Sequence, residues 1–136
     1  MPDFRSVTEM FSVSPQISLA DVPAARARGF TLIINNRPDA EAPEQPDGAD
    51  IEAAARAEGL DYVHIPVRGE PTSEQAAAVR AAVHGARGAT LAYCRSGTRS
   101  IIAWSLGELA AGAKGRDELL SLAAAAGYDL SGVLPR

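Results

Sequence analysis

The sequence predicts one α/β domain over residues 1–136, a mostly parallel sheet flanked by helices, and three observations predict it. Strand and helix signals alternate from end to end, and the helical stretches between strands are long enough for the crossovers that parallel strands need. The run Phe30-Thr31-Leu32-Ile33-Ile34 is apolar and β-branched, the pattern of a strand covered on both faces. At 136 residues the chain can bury roughly two-thirds of its unfolded surface around a single core, with no room for a second catalytic domain.

Taken in order, Phe11-Ser12-Val13-Ser14 reads as a short strand ended by Pro15. Ser18 caps a helix with Asp21 three residues on, and Gly29 closes it behind Arg26 and Arg28. The buried strand Phe30 to Ile34 opens onto Asn35-Asn36-Arg37-Pro38-Asp39 and a proline-rich acidic loop. Ala49 to Glu58 is alanine-rich and helical, with Gly59 as its stop, and Leu60 to Val67 is the next strand. After the loop Arg68-Gly69-Glu70-Pro71, Thr72 and Gln75 form a capping box for a helix that reaches about Ala86. Ala89 to Tyr93 is a strand that ends at Cys94. A helix then starts near Ser100 with Ile102, Leu106 and Leu109 as its apolar stripe. Asp117 caps a last helix, Glu118 to Ala126, and Gly127 stops it.

Composition narrows the function. Hydrophobic residues are 46% and charged residues 22%, the balance of a globular protein, and no apolar run approaches the ~20 residues of a membrane span. Met1 to Ser6 has neither a basic nor an apolar export region, so a cytoplasmic location is expected. The net charge is −4; residues 1–68 hold eleven acids against six bases, and residues 69–136 hold six against seven. No basic stripe is present for a nucleic-acid backbone, so neither nucleic acid nor membrane is expected as a partner. Asp39 through Glu58 contains seven carboxylates and one arginine, read as a solvated loop and helix face. A single cysteine forms no internal disulfide and no cysteine zinc site, and no metal or cofactor is expected.

The chemistry concentrates in Tyr93-Cys94-Arg95-Ser96-Gly97-Thr98-Arg99-Ser100, which sets a thiol between a buried strand and a helix N-terminus. Lone cysteines are commonly small buried hydrophobes, but one cysteine, one glycine, two arginines and two serines within seven residues is no average turn. A loop of Arg95, Ser96, Gly97 and Thr98 can turn successive backbone N–H groups inward, and the helix behind adds its positive end, which together hold a tetrahedral oxyanion. Arg99 adds a planar fork of donors, and the same field favours thiolate at Cys94. Ser100 can donate a hydrogen bond to the sulfur and make it a better leaving group. Neither a dinucleotide-binding glycine fingerprint nor a phosphate loop ending in Gly-Lys-Ser/Thr is present.

Four segments, Ile33 to Asp39, Tyr62 to Val67, Ala92 to Ser100 and Gly127 to Gly132, together resemble the bacterial beta-lactamase-hydrolase-like, phosphatase-like domain family over nearly the whole chain. Its members are described both as phosphatases and as sulfurtransferases, and the resemblance implies a cysteine-phosphatase-like fold akin to the tyrosine and dual-specificity phosphatases. It implies Cys94 as nucleophile, Arg99 as the anion-binding arginine and Ser100 as the following hydroxyl, with Arg37 and Asp39 on a loop facing the site.

Two departures from the general tyrosine-phosphatase pattern keep two chemistries open. Only four residues separate Cys94 from Arg99, where that pattern has five, and rhodanese-like sulfurtransferases use a similarly short loop. The general acid that an ester leaving group needs is not marked: Glu70 follows the strand where phosphatases place an aspartate but reads as solvated, and Asp39, stiffened by Pro38, is the favoured candidate. Cysteine-dependent phosphoester hydrolysis through a phosphocysteine is the leading expectation, and sulfur transfer through a Cys94 persulfide the alternative. The substrate is expected to be a small phospho- or sulfur-containing compound or a phosphoprotein. Arg37 is read as binding substrate or pairing with a neighbouring carboxylate; His64, His84 and Trp104 are read as structural.

Overall fold

A computed structural model describes residues 2–136. Its strands are β1 (Arg5–Thr8), β2 (Phe11–Ser14), β3 (Phe30–Asn35), β4 (Asp61–His64) and β5 (Ala89–Tyr93). Between and after them lie α1 (Asp21–Ala27), α2 (Gly48–Ala57), α3 (Ser73–Gly85), α4 (Thr98–Ala110) and α5 (Arg116–Ala125). The sheet order is β1-β2-β5-β3-β4, with β1 antiparallel to β2 and every other pairing parallel. β5 is therefore central, and a loop leaving its carboxyl end emerges in the crevice where open α/β sheets bind ligands.

Alternation along the central strands divides the core into two layers. Val13, Leu32, Ile34 and Ala92 pack with Val79 of α3, Ile101 and Trp104 of α4, and Leu119 of α5. Ile33 and Tyr93 face the other way, onto Val22 of α1 and Ile51 and Ala55 of α2. Phe11 and Trp104 stack with ring centroids 5.0 Å apart, so Trp104 serves packing.

The predicted elements are present, with ends shifted for local reasons. β1 was not expected, because only Val7 of Arg-Ser-Val-Thr is buried and four residues give no readable period. β4 stops at His64 rather than Val67, yet the pairing persists in single bonds: the Ile65 N–H donates to the Asn35 carbonyl and the Val67 N–H to the Asn36 carbonyl, each at 2.9 Å. The Ser18 and Asp21 bonds form at 3.3 and 2.9 Å, but in a turn ahead of α1, whose N-cap is Ala20 and not Ser18; the Thr72–Gln75 capping box is complete. α4 starts at Thr98, two residues before the expected start, and α5 starts at Arg116 with Gly115 as its cap, which leaves Asp117 in the first turn.

Candidate active site

Cys94 follows the last residue of β5 and is fully buried. From there the chain turns through exposed Arg95 and Ser96 to Gly97, whose φ of +92° is the left-handed conformation that a glycine adopts without strain. That turn aims the Gly97 N–H at the Cys94 sulfur, 3.1 Å away, immediately ahead of α4. A backbone donor and a helix N-terminus thus converge on one sulfur. Ser96 and Thr98 join hydroxyls at 2.9 Å, and Ser100 is buried with no hydrogen-bond partner for its Oγ among the described residues. Arg95, directly after Cys94, has its side chain in solvent.

Arg99 is held along one edge. Its Nη1 donates to Glu41 Oε2 at 2.8 Å and to the Val67 carbonyl at 2.7 Å, and its Nη2 donates to Glu41 Oε1 at 2.9 Å. Glu41 therefore takes the Nη1/Nη2 end of the guanidinium. The Nε–H and the second Nη2–H take no part in these three bonds, and as parallel donors they match two oxygens of a tetrahedral anion. Glu41, followed by the thiol of Cys94, raises the Arg99 pKa still further and keeps the group charged. In the other direction, Arg99 first and Arg37 second outweigh desolvation and hold the Glu41 carboxyl at about 2.

Sequence reading placed Glu41 among solvated carboxylates, and the structure corrects that reading. Its side chain is 25% exposed and ties two arginines together, because Arg37 Nε also donates to Glu41 Oε1 at 2.9 Å. Of the two roles left open for Arg37, pairing with a carboxylate is present. Arg37 reaches from the end of β3 past the end of β5 to Gln16, just beyond β2, where its Nη1 donates to Gln16 Oε1 at 3.0 Å. Ala40, immediately before Glu41, has a φ of 62°, a left-handed turn that a non-glycine residue pays for and that swings Glu41 back toward the arginines. A weak signal for Glu41 existed in its i,i+4 spacing from Arg37.

The two acid candidates differ in freedom. Asp39 is exposed, but its Oδ1 accepts the Gly48 N–H at 2.8 Å and so caps α2 from outside the helix. Glu70 is exposed and has no hydrogen bond among the described residues. Both line a cavity of about 400 Å³ with His64, Pro66 and Arg68, beside the segment whose Val67 carbonyl touches Arg99. His64 Nε2 bonds the Arg37 carbonyl at 2.9 Å, and His84 lies 3.4 Å from Glu108. Among the described residues no group of three or more histidines, cysteines or acids could hold a metal, and no helix is long and apolar enough to cross a membrane.

A parallel sheet with a cysteine-to-arginine loop between its central strand and the next helix is the architecture of the tyrosine and dual-specificity phosphatases, and the chain has their fold. Residues 3–112 match the phosphatase-like domain of beta-lactamase hydrolase-like proteins, and the chain belongs to that family. A beta-lactamase hydrolase-like protein of Agrobacterium fabrum is 37% identical over 126 residues, 91% of this chain and 29% of its own length. The chain thus spans less than a third of such relatives. Among solved structures, a candidate phosphatase of Neisseria meningitidis is 32% identical with a TM-score of 0.86, covering 97% of this chain and 94% of its own. A mouse candidate dual specificity phosphatase, complexed with zinc tungstate, has a TM-score of 0.61 at 20% identity over 90% of this chain and 74% of its own. The family and the fold support a phosphatase-like hydrolase.

Proposed function

We propose that the protein is a cysteine-dependent phosphoester hydrolase acting through a phosphocysteine at Cys94. One observation supports the reading: the Gly97 N–H points at Cys94, and Glu41 and Val67 leave the Nε–H and one Nη2–H of Arg99 to a tetrahedral anion. The Cys94 thiolate attacks phosphorus, and the bond to the ester oxygen breaks with its electron pair leaving on that oxygen. Glu70 is the acid that protonates it, since Asp39 is already engaged with Gly48. Arg99 and the loop N–H groups carry the equatorial charge as it builds. Water then adds to phosphorus, its proton returns to the acid, and the S–P bond breaks to release phosphate and thiolate; Ser100 stabilises the departing sulfur. The substrate is a small phosphoester or a phosphoprotein.

Acid-quenched protein taken during aryl-phosphate turnover should carry about 80 Da of phosphoryl on Cys94, and Cys94→Ser should abolish turnover while still binding phosphate. Absence of the adduct at a catalytically active Cys94 overturns the hydrolase reading. The four-residue loop favours a second chemistry, in which Cys94 attacks the outer sulfur of thiosulfate, the S–S bond breaks with sulfite leaving, and a persulfide remains for an acceptor thiolate. A lasting gain of about 32 Da after thiosulfate, without a phosphate adduct, would establish it.

A further inference from the structure

We propose that Tyr128 is a positioning residue of the Cys94 site: its hydroxyl fixes the Ser96–Gly97 peptide in the orientation that presents the Gly97 N–H to the sulfur. The inference rests on the reading of Cys94 as nucleophile. The Tyr128 hydroxyl donates to the Ser96 carbonyl at 2.8 Å, and across the same peptide unit the Gly97 N–H donates to Cys94 Sγ at 3.1 Å. A trans peptide is planar, with its C=O and N–H pointing in opposite directions. Holding the carbonyl outward therefore holds the N–H inward. A glycine at the hinge makes the opposite orientation accessible, and that orientation would turn the Ser96 oxygen toward the sulfur and repel a thiolate.

The tyrosine is itself fixed by the end of a helix. Gly127, at a φ of +96°, terminates α5, where its N–H bonds the Ala124 carbonyl at 3.0 Å and the Tyr128 N–H bonds the Ala123 carbonyl at 2.9 Å. These paired bonds are a Schellman stop, which sets the backbone of Tyr128 rather than leaving it on a free tail. The Arg5 guanidinium lies over the ring, 5.1 Å from its centroid, and the residue is 8% exposed. A Cβ on Gly97 would collide with the tyrosine oxygen, so the loop is closed against this side chain with no slack.

Two roles make different predictions. A residue that only packs would, on losing its hydroxyl, change stability and nothing else. A residue that orients the peptide would also change the thiolate. The test is the pH dependence of iodoacetamide alkylation of Cys94 in wild type, Tyr128→Phe and Leu134→Ala, with urea midpoints measured in parallel. Leu134 is buried in the turn that follows, where its N–H bonds the Leu130 carbonyl at 3.1 Å, and serves as the packing control. Tyr128→Phe should move the alkylation profile to higher pH and slow the reaction at pH 6 about threefold to tenfold, the scale of one net hydrogen bond, whereas Leu134→Ala should lower only the urea midpoint. If Tyr128→Phe leaves the profile on that of wild type, the positioning role is wrong and the nucleophile reading stands. If wild-type Cys94 itself titrates as a free thiol, both are wrong. Should the Phe variant fold poorly, 3,5-difluorotyrosine at 128, a stronger donor assayed while protonated, decides instead: a profile moved to lower pH supports the role, and an unmoved one overturns it.

Discussion

The carboxylate of Glu41 determines which way Arg99 faces. Replacing it by glutamine keeps the shape but offers one acceptor where two N–H groups converge, and it sets an amide NH₂ against the guanidinium. Glu41→Gln should therefore lower kcat/KM for an aryl phosphate by about tenfold to a hundredfold, the size of effect expected when a clamp loses its geometry. The pH dependence of stability has a definite sign. The Glu41 carboxyl sits at about 2 in the folded protein and at 4.5 when free, so its contribution is complete above the free value and is lost as the pH falls toward 2. Urea midpoints of wild type and Glu41→Gln should accordingly differ at pH 6 and converge between pH 4.5 and 2. A gap that persists at the acid end would mean that the pair is not what the charge stabilises. At this scale the sequence exposed whatever was contiguous. Cys94 to Ser100 is a run that can be read in place, whereas Glu41 acts on an arginine 58 positions away and Tyr128 on a carbonyl 32 positions away. Nothing local separates Glu41 from the acids around it.

At the scale of elements, α4 carries the loop, so its seating on α3 positions the site. Gly107 is the point of closest approach: a Cβ there would lie 2.8 Å from the Ala76 carbonyl and 3.3 Å from Arg80 Cβ. Gly107→Val must push the helices apart and should cost about 1–3 kcal/mol of stability, read from the urea midpoint. Phosphate protection of Cys94 against alkylation should survive, since the N-terminal turn of α4 is anchored separately by the Gly97 carbonyl and the Ile101 N–H at 3.0 Å. Loss of protection would show that helix seating and loop geometry are one unit. The elements legible beforehand were those with a strong period or a strong punctuation mark, such as β3 and the capped α3. β1 was missed because it gains its strand from pairing with β2 and not from its own residues. The start of α5 lies two residues before the expected one for a similar reason, because tertiary packing sets a helix end within a turn or so of the residue that marks it.

For the whole molecule, four distant segments meet at the loop. Gln16 bonds the Arg95 carbonyl at 3.2 Å, Glu41 and Val67 hold Arg99, and Tyr128 holds Ser96. An anion seated there binds only the folded chain, so phosphate or tungstate should raise the melting temperature. At a hundred times its dissociation constant the linkage is about 2.7 kcal/mol, or roughly 10 °C for a chain of this length. Cys94→Ser should keep that increment and Arg99→Lys should lose most of it, because a lysine retains the charge without the paired donors. Scanning calorimetry with and without the anion gives the comparison, and an undiminished increment in Arg99→Lys would show that charge alone holds the ligand. The α/β class and the parallel order were legible because crossover lengths and a doubly buried strand restrict topology strongly. The convergence of four segments was not, since it exists only once the sheet order has been set.

The two borders of the sheet also govern how the protein behaves in a crowded solution. β1 and β4 each contribute only four residues, and an open edge of that length offers a second molecule few N–H and C=O groups to pair with. β4 carries charged and polar Asp61 and His64 on exposed positions, and Pro66 follows two residues later with no N–H to donate. At the other border, the Arg5 side chain is occupied with Asp3 at 2.9 Å and spreads charge along the strand. Aggregation by edge-to-edge strand addition is thus discouraged on both sides, and substituting valine at Asp61 and His64 together should appear first as concentration-dependent light scattering, before any loss of secondary structure.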